Sequence, residues 1–203
     1  MHMQPKIIGL SGSIASGKNF IANIFAKFRI LVFDADLLVH QLLQQPAIIK
    51  KVQQIFPSCI VKQTIDKNIL GQLVFHNQQN LAKLEQIIHP LIRKAKQKFL
   101  LQAKQKKQKL VVLNVPLLLE KPRHYRCHIV LSIIANKPTR FARFLQRKPQ
   151  NGNIANLTQQ FDNINKKQSN NFQRCLKADF ILFNHFSFFL TKQKIFNIIK
   201  KIK

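Results

Sequence analysis

The chain has 203 residues, of which 46% are hydrophobic, and this is enough for one α/β domain with a modest insertion. Its 34 Lys and Arg against seven Asp and Glu give a net charge of +27, which raises nucleic-acid binding as a hypothesis, but the basic residues form no discrete tail and charge alone selects no partner. No apolar run is as long as a membrane span, and three widely spaced cysteines indicate reduced thiols in a cytoplasmic protein.

A glycine-framed loop follows the first apolar run. Lys6–Leu10 is typical of a short strand, residues Gly12–Lys18 read Gly-Ser-Ile-Ala-Ser-Gly-Lys, and the helix-forming stretch Phe20–Phe28 comes next. This order favours a phosphate cradle, in which loop N–H groups, Lys18 and the positive end of the helix face a polyphosphate. The alternative is a β-turn-α connection that binds nothing.

The residue after the loop lysine departs from the usual pattern. It is Asn19, where such loops have a Ser or Thr hydroxyl to hold Mg²⁺. Because an amide oxygen also ligates hard cations, we expect Asn19 to be a weakened Mg²⁺ ligand.

Two carboxylates follow the second predicted strand, Ile30–Phe33. Asp34 and Asp36 stand out in a chain with only seven acidic residues. Ligands of open α/β sheets bind at the carboxyl ends of the strands, so we expect this pair to lie at the same edge as the loop. A carboxylate there accepts a proton from an attacking hydroxyl or holds Mg²⁺ through water. The alternative is N-capping of the following helix.

The segment 37–108 is helical in pattern and lacks a clear strand, which predicts a helical insertion. Within it, His89-Pro90 is most simply interpreted as a helix start with Pro in the first turn. Three more strands are predicted after it, and their alternation with helical patterns predicts a parallel sheet covered by helices on both sides. These strands are Leu110–Val115, His128–Ile134 and Phe180–Phe183.

Three arginines precede a polar stretch, 147–171. Arg140, Arg143 and Arg147 recur on one helical face, and a flap that delivers such side chains to a phosphate would exclude water from it. The alternative is a solvated basic helix face. Lys192–Lys203 is predicted to be an amphipathic closing helix, with a membrane-surface role as the minority interpretation.

The order of these motifs resembles the dephospho-CoA kinase family over almost the whole chain. After the phosphate loop, the most specific pieces are Asp-Ala-Asp at 34–36, Ile-His-Pro-Leu-Ile at 88–92 and Val-Pro-Leu-Leu-Leu-Glu at 115–120. Six of the seven acidic residues fall on matched positions, the exception being Asp162. Further matched positions are Asp66-Lys67, Arg147, Gln168, Arg174 and Asn184.

The resemblance implies a three-layer α/β/α P-loop kinase with a helical acceptor-binding insertion and a lid. Its nucleotide-binding core would comprise residues 1–36, 109–146 and 173–203, its acceptor domain 37–108 and its lid 147–172. It implies transfer of the ATP γ-phosphate, with Mg²⁺, to the ribose 3′-hydroxyl of dephospho-CoA. The expected protein is a cytoplasmic monomer without a specific nucleic-acid or membrane partner.

The resemblance also assigns site residues by position. Asp36 matches the base or hydroxyl-orienting residue, with Asp34 left open as an alternative, and Lys18 and Arg147 complete the catalytic set. The implied acceptor-binding residues are Asp34, His89, Arg93 and Glu120. The implied ATP-binding residues are Gly12, Ala15, Ser16, Gly17, Lys18, Asn19, Phe20, Arg143 and Arg147.

Two other functions stay open from the sequence. A nucleoside monophosphate kinase clamps its acceptor phosphate with arginines from the insertion, yet no Arg occurs between Asp36 and His89. A non-catalytic nucleotide- or nucleic-acid-binding protein is suggested by the charge and by Asn19, but the chain lacks a motif that reads RNA or DNA.

Overall fold

The protein folds into two compact units. The computed structural model describes residues 4–75, 77–115, 118, 126–147, 153–166, 168–184 and 187–202. One unit comprises Met1–Phe33 and Ala103–Lys203, and the other comprises Asp34–Gln102. In the described part of the chain, seven strands and nine α-helices are present, and we number them along the whole sequence.

A five-stranded sheet organises the first unit, in the order β2-β5-β1-β6-β7. The central strand β1 pairs in parallel with both β5 and β6, and β6 pairs in parallel with β7. The five strands predicted from sequence are therefore confirmed, with ends that shift by one or two residues. Their bounds are β1 Lys6–Gly12, β2 Leu31–Asp34, β5 Leu110–Asn114, β6 Ile129–Ile134 and β7 Phe180–Phe183.

Helices cover both faces of this sheet, which confirms the three-layer prediction. On one face, Ile8 and Leu10 of β1 pack with Phe25 of α1 and Ile195 of α9 in one buried cluster. On the other face, α8 contacts β1 and β6. The helices of this unit are α1 Lys18–Lys27, α6 Lys137–Leu145, α7 Ile154–Lys166, α8 Asn171–Leu176 and α9 Phe188–Ile202.

Continuous burial explains why the strands were readable from sequence. Successive side chains of a strand point to opposite faces, yet Val111, Val112 and Leu113 of β5 are all fully buried. A strand covered on both sides reads as an unbroken β-branched and apolar run, and this is the pattern that predicted it.

The second unit is helical. It contains α2 (Ala35–Leu42), α3 (Pro46–Ile55), α4 (Lys67–Phe75) and most of α5 (Gln78–Gln105). A short 3₁₀ turn, Pro57–Cys59, lies between α3 and the antiparallel strands described next.

A small hairpin interrupts the helices of the second unit, which the sequence did not predict. It joins β3 (Ile60–Val61) to β4 (Thr64–Ile65), and both turn residues, Lys62 and Gln63, have positive φ. Such turns usually contain Asn or Gly, and two-residue strands are too short to show alternation. The segment therefore carries neither of the usual hairpin signals.

Pro90 lies inside α5, so the interpretation of His89-Pro90 as a helix start is wrong. The helix begins twelve residues earlier, where Asn77 Oδ1 accepts a hydrogen bond from Asn80 N at 3.0 Å. A proline lacks the N–H that would bond to the residue four positions before it, and the missing bond weakens a helix interior. Packing compensates for the missing hydrogen bond in a long helix, and here Ile88 and Ile92, on either side of Pro90, are buried.

The C-terminal helix has the predicted amphipathic form. Ile195, Ile199 and Ile202 of α9 are buried in the same cluster as the sheet face, whereas Phe196 stays exposed. Among the described residues, no helix is both long and apolar enough to pass through a bilayer.

Candidate active site

The loop between β1 and α1 has the geometry of an anion site. Five residues separate Gly12, the last residue of β1, from Lys18, the first of α1. No described side chain caps the N-terminus of α1. The first N–H groups of a helix have no partner within it and lie at its positive end, so this turn is suited to phosphate oxygens.

The two loop glycines are required by close contacts. A Cβ on Gly12 would contact Ser16 Oγ and lie 2.9 Å from the backbone oxygen of Ile133. Gly17 has a left-handed φ of 99°, and a Cβ there would collide with Asn184 Nδ2. The glycines predicted from the motif therefore set the curvature of the loop.

Side chains from other elements support the loop from outside. Asn184, which follows β7 and is buried, donates from Nδ2 to the backbone oxygen of Ser16 at 2.7 Å. Arg143 of α6 donates from Nη2 to the backbone oxygen of Asn184 at 3.0 Å and from Nη1 to that of Ser16 at 3.4 Å. Gln168 Oε1 accepts a hydrogen bond from Ile14 N at 2.7 Å.

These contacts give a structural role to Asn184 and Gln168, for which the sequence analysis found only a match to the family motifs. Asn184 and Gln168 carried no assigned function, because a neutral amide far along the chain gives no signal by itself. The structure shows Arg143, a predicted ATP-binding residue, in contact with the loop. Its guanidinium bonds one loop carbonyl, that of Ser16, and the carbonyl of Asn184, whose side chain also bonds Ser16, so it stabilises the loop conformation.

Two polar side chains of the loop, those of Lys18 and Ser16, differ in their partners. Lys18 Nζ donates to the backbone oxygen of Gly12 at 2.7 Å, so the ammonium lies back over the loop. Ser16 Oγ is buried and has no hydrogen-bond partner among the described residues. Buried hydroxyls are normally paired, so an unpaired one in this loop is suited to a phosphate oxygen.

Asn19 is held by a second asparagine. Asn114 Nδ2, at the end of β5, donates to Asn19 Oδ1 at 3.0 Å. Asn114 is buried, whereas Asn19 is exposed. An amide oxygen accepts two hydrogen bonds, so one lone pair of Asn19 Oδ1 stays available to a cation. Within the described residues, no cluster of three His, Cys, Asp or Glu side chains could hold a metal ion.

The three arginines near α6 do not act as one set. Arg140 is buried and donates from Nη1 to Asn165 Oδ1 of α7 at 2.8 Å. Burial lowers the pKa of its guanidinium below the usual value, and the charge of Arg174 lowers it further. Arg140 Nη1 also donates to the backbone oxygen of Ile14 in the loop at 3.4 Å, so this buried residue connects α6 to α7 and to the loop, and a contact with phosphate stays a prediction for Arg143 and Arg147.

Arg147 and Arg174 have different environments. Arg147 is exposed directly after α6, and residues 148–152 lie outside the described part of the chain. Arg174 is buried under the sheet, where Nη1 donates to Ser11 Oγ at 2.6 Å and Nε to the backbone oxygen of Ser169 at 3.0 Å. Arg174 thus connects α8 to β1 just before the loop.

The segment predicted as a flap contains a packed helix. Phe161 of α7 is buried, with its ring centroid 5.4 Å from that of Phe144 and 5.3 Å from that of Phe141. Ala15 of the loop belongs to the same hydrophobic cluster. Movement of α7 would therefore change the packing behind the loop.

The two aspartates differ in their surroundings. Asp34 Oδ1 accepts a hydrogen bond from Leu37 N at 2.9 Å and caps α2, so the N-cap alternative is confirmed for this residue. Asp36 lies in the first turn of α2, is exposed and lines a cavity of the second unit. Of the two, Asp36 is the carboxylate not assigned to the helix cap.

The other predicted acceptor-binding residues lie on α5 or outside the described part. His89 Nε2 is 3.8 Å from Glu85 Oε1, one turn away, and both side chains are about one-third exposed. Arg93 is exposed one turn further along the same helix. Glu120 lies outside the described residues.

Comparisons with known proteins agree on one family. The family model described as dephospho-CoA kinase matches residues 6–188. A dephospho-CoA kinase of Bartonella quintana is 33% identical over 197 residues, covering 97% of this chain and 98% of its own. One from Wolbachia sp. subsp. Brugia malayi is 37% identical over 142 residues, covering 70% of this chain and 73% of its own.

Solved structures share the fold. TT1252 from Thermus thermophilus superposes with a TM-score of 0.81 at 24% identity, over 99% of this chain and 100% of that one. A dephospho-CoA kinase from Campylobacter jejuni superposes with a TM-score of 0.62 at 23% identity, over 98% of each chain. At these identities the two structures support the architecture.

Proposed function

Because the chain belongs to the dephospho-CoA kinase family, we propose that it transfers the γ-phosphate of ATP to the ribose 3′-hydroxyl of dephospho-CoA. The observation that carries the proposal is the loop between β1 and α1, which is held open by Asn184, Arg143 and Gln168. A loop of this kind binds a polyphosphate without reorganising its backbone, which favours catalysis by electrostatic stabilisation.

The residues around the loop supply most of the charge that phosphoryl transfer needs. On nucleotide binding, Lys18 exchanges the carbonyl of Gly12 for oxygens of the β- and γ-phosphates. The N–H groups of Ala15, Ser16, Gly17, Asn19 and Phe20 bind the same phosphates, and the Ser16 hydroxyl gains a partner. Because the transition state is loose, positioning and charge stabilisation dominate over covalent chemistry.

Mg²⁺ is the expected cofactor, and the residues present fit a Mg²⁺ site in which the protein supplies only one ligand. Asn19 Oδ1 would hold the ion, while Asn114 keeps that oxygen in place. Mg²⁺ usually keeps several waters and takes its other ligands from phosphate oxygens, so one neutral protein ligand suffices. When bound, the ion neutralises charge that develops on the phosphates.

The acceptor hydroxyl requires a group that orients it and accepts its proton. We assign this role to Asp36, because Asp34 caps α2. His89, Arg93 and Glu120 are assigned to acceptor binding on the strength of the family motifs. Residues 147–172 would act as a lid, with Arg147 approaching the transferring phosphate when the lid closes.

The state in solution is part of the proposal. We expect a cytoplasmic monomer, because the three cysteines are free thiols and a net charge of +27 opposes self-association. Size-exclusion chromatography with light scattering at near-physiological salt measures the mass directly.

The decisive experiment is a side-by-side assay of ATP-dependent phosphorylation of dephospho-CoA, AMP, dTMP and shikimate. We expect turnover with dephospho-CoA alone, and a large loss in Lys18→Ala. Protein that binds ATP but phosphorylates another acceptor, or none, would contradict the assignment.

A further inference from the structure

The second unit contains a cavity that no assigned residue except Asp36 reaches. It has a volume of about 270 Å³ and lies among α2, α4 and α5. Most of its lining is apolar, but two basic side chains stand beside the carboxylate. The lining residues are Asp36, Val39, His40, Leu43, Lys67, Leu70, Gly71, Val74 and Leu84.

The two basic side chains, His40 of α2 and Lys67 of α4, are in contact. Lys67 Nζ lies 2.7 Å from His40 Nδ1 and 3.1 Å from Nε2. The lone pair of a ring nitrogen lies in the ring plane, and a donor aligned with one nitrogen would be far from the other. The ammonium therefore lies off the ring plane and is not saturated by a good hydrogen bond.

The charge of Lys67 is not balanced by an ion pair within the described residues. Lys67 contacts His40 and, within the described residues, forms no ion pair with an acid. The neighbouring Asp66 uses Oδ1 to accept hydrogen bonds from Asn68 N and Ile69 N at the start of α4. Although Asp36 lines the same cavity, the ammonium and the imidazole lie side by side, so both groups can contact one anion at once.

We propose that His40 and Lys67 bind the 5′-diphosphate of the acceptor, an inference that rests on the proposed function. Asp36 and His40 are four residues apart on α2 and both line the cavity, so they lie one helical turn from each other. That separation is comparable to the span of a ribose from its 3′-hydroxyl to its 5′-phosphate. With the hydroxyl at Asp36, the phosphate falls beside His40 and Lys67.

The apolar wall completes the subsite. Leu43 and Leu70 are buried, and together with Val39, Val74 and Leu84 they enclose carbon-rich parts of the acceptor next to the diphosphate. Gly71 also lines the cavity, and the space that a Cβ would take there has no described heavy atom within 4 Å.

The anion subsite is tested with Lys67→Met, Lys67→Arg and the matched control Lys51→Met, which removes an exposed lysine from α3 of the same unit. We expect Lys67→Met to raise the KM for dephospho-CoA about tenfold or more, with the KM for ATP nearly unchanged, because a charged hydrogen bond is lost. Lys67→Arg should recover most of the affinity. A KM for dephospho-CoA in Lys67→Met equal to that of Lys51→Met would overturn the proposal.

The cavity is tested with Gly71→Leu. A Cβ at this position has no described heavy atom within 4 Å, and leucine improves the helix propensity of α4, so thermal stability should be equal or higher while the acceptor KM rises. A stable Gly71→Leu enzyme with wild-type acceptor KM would exclude the cavity as the binding site. Turnover of dephospho-CoA by the wild-type enzyme is measured first, and its absence contradicts the proposed function. If the wild type is active but Lys67→Met and Gly71→Leu leave the acceptor KM unchanged, only this inference is contradicted.

Discussion

At the scale of single residues, Asp34 and Asp36 show how neighbouring carboxylates acquire different surroundings. Asp34 accepts the N–H of Leu37 and fixes the start of α2, while Asp36 is exposed beside a cavity. The residue motif predicts that one of the pair is chemical and one structural, but only the backbone geometry separates them.

Asp36→Asn should lower kcat by about two to four orders of magnitude, because the amide cannot accept the proton of the acceptor hydroxyl. ATP affinity should stay near wild type, measured by calorimetry on the same preparation. Asp34→Ala serves as the comparison: it should cost about 1 kcal/mol of stability through the lost N-cap and change kcat much less. The reverse pattern would assign the chemistry to Asp34.

Asn19 stands where phosphate loops of this kind usually have Ser or Thr, and Asn114 Nδ2 donates to its Oδ1. Asn19→Thr should retain activity and lower the Mg²⁺ concentration needed for half-maximal rate, because a hydroxyl restores the usual ligand. A titration of Mg²⁺ at saturating ATP makes the comparison, with Asn114→Ala as a variant that loses the contact alone. If Asn19→Thr needs more Mg²⁺, the asparagine pair is the better arrangement for this loop.

At the scale of elements, α7 is coupled to the phosphate loop through packing. Phe161→Ala should destabilise this region by about 3–5 kcal/mol, since it removes a buried ring from the cluster that includes Ala15. Hydrogen exchange should then accelerate in residues 154–166 and in the loop. The control is Ile154→Ala on the same helix, where the side chain is 67% exposed and little change is expected. Unchanged exchange in the loop would show that the helix and loop are independent.

Helices and strands could be predicted from the sequence where their buried faces produce a regular spacing of apolar residues. The β5 run of buried residues and the isoleucines of α9 were both found this way, because their apolar spacing follows directly from the faces they cover. The β3–β4 hairpin was missed because Lys62 and Gln63 adopt left-handed φ without Gly or Asn.

The glycines and the lysine of the candidate site could be predicted from the sequence, but the side chains that hold the loop in place could not. Gly12, Gly17 and Lys18 form a local motif, so short-range spacing identifies them. Asn184 contacts Ser16 across 168 residues of sequence, and Asn114 contacts Asn19 across 95. Neutral amides at such separations form no charge pattern and no periodic pattern in the sequence, so only the structure identifies these contacts.

At the scale of the whole molecule, a net charge of +27 on 203 residues sets how stability depends on salt. Raising ionic strength from about 0.02 M to about 0.2 M shortens the screening length from roughly 20 Å to roughly 7 Å and weakens the repulsion among surface lysines. The melting temperature should therefore rise with NaCl, as followed by circular dichroism. Sucrose at matched osmolality controls for solvent exclusion, and a melting temperature that falls with NaCl would show that attractive pairs dominate.

The topology of the sheet also constrains how the protein is made on the ribosome. The central strand β1 emerges first, yet its partners β5 and β6 begin at Leu110 and Ile129. At about 5–20 residues per second, β1 waits about 5–20 seconds for its first neighbour. The contiguous unit Asp34–Gln102 is complete before either partner appears, so it is free to fold first. Nascent chains arrested before Leu110 should therefore carry an ordered helical unit behind an unpaired, chaperone-accessible N-terminal strand.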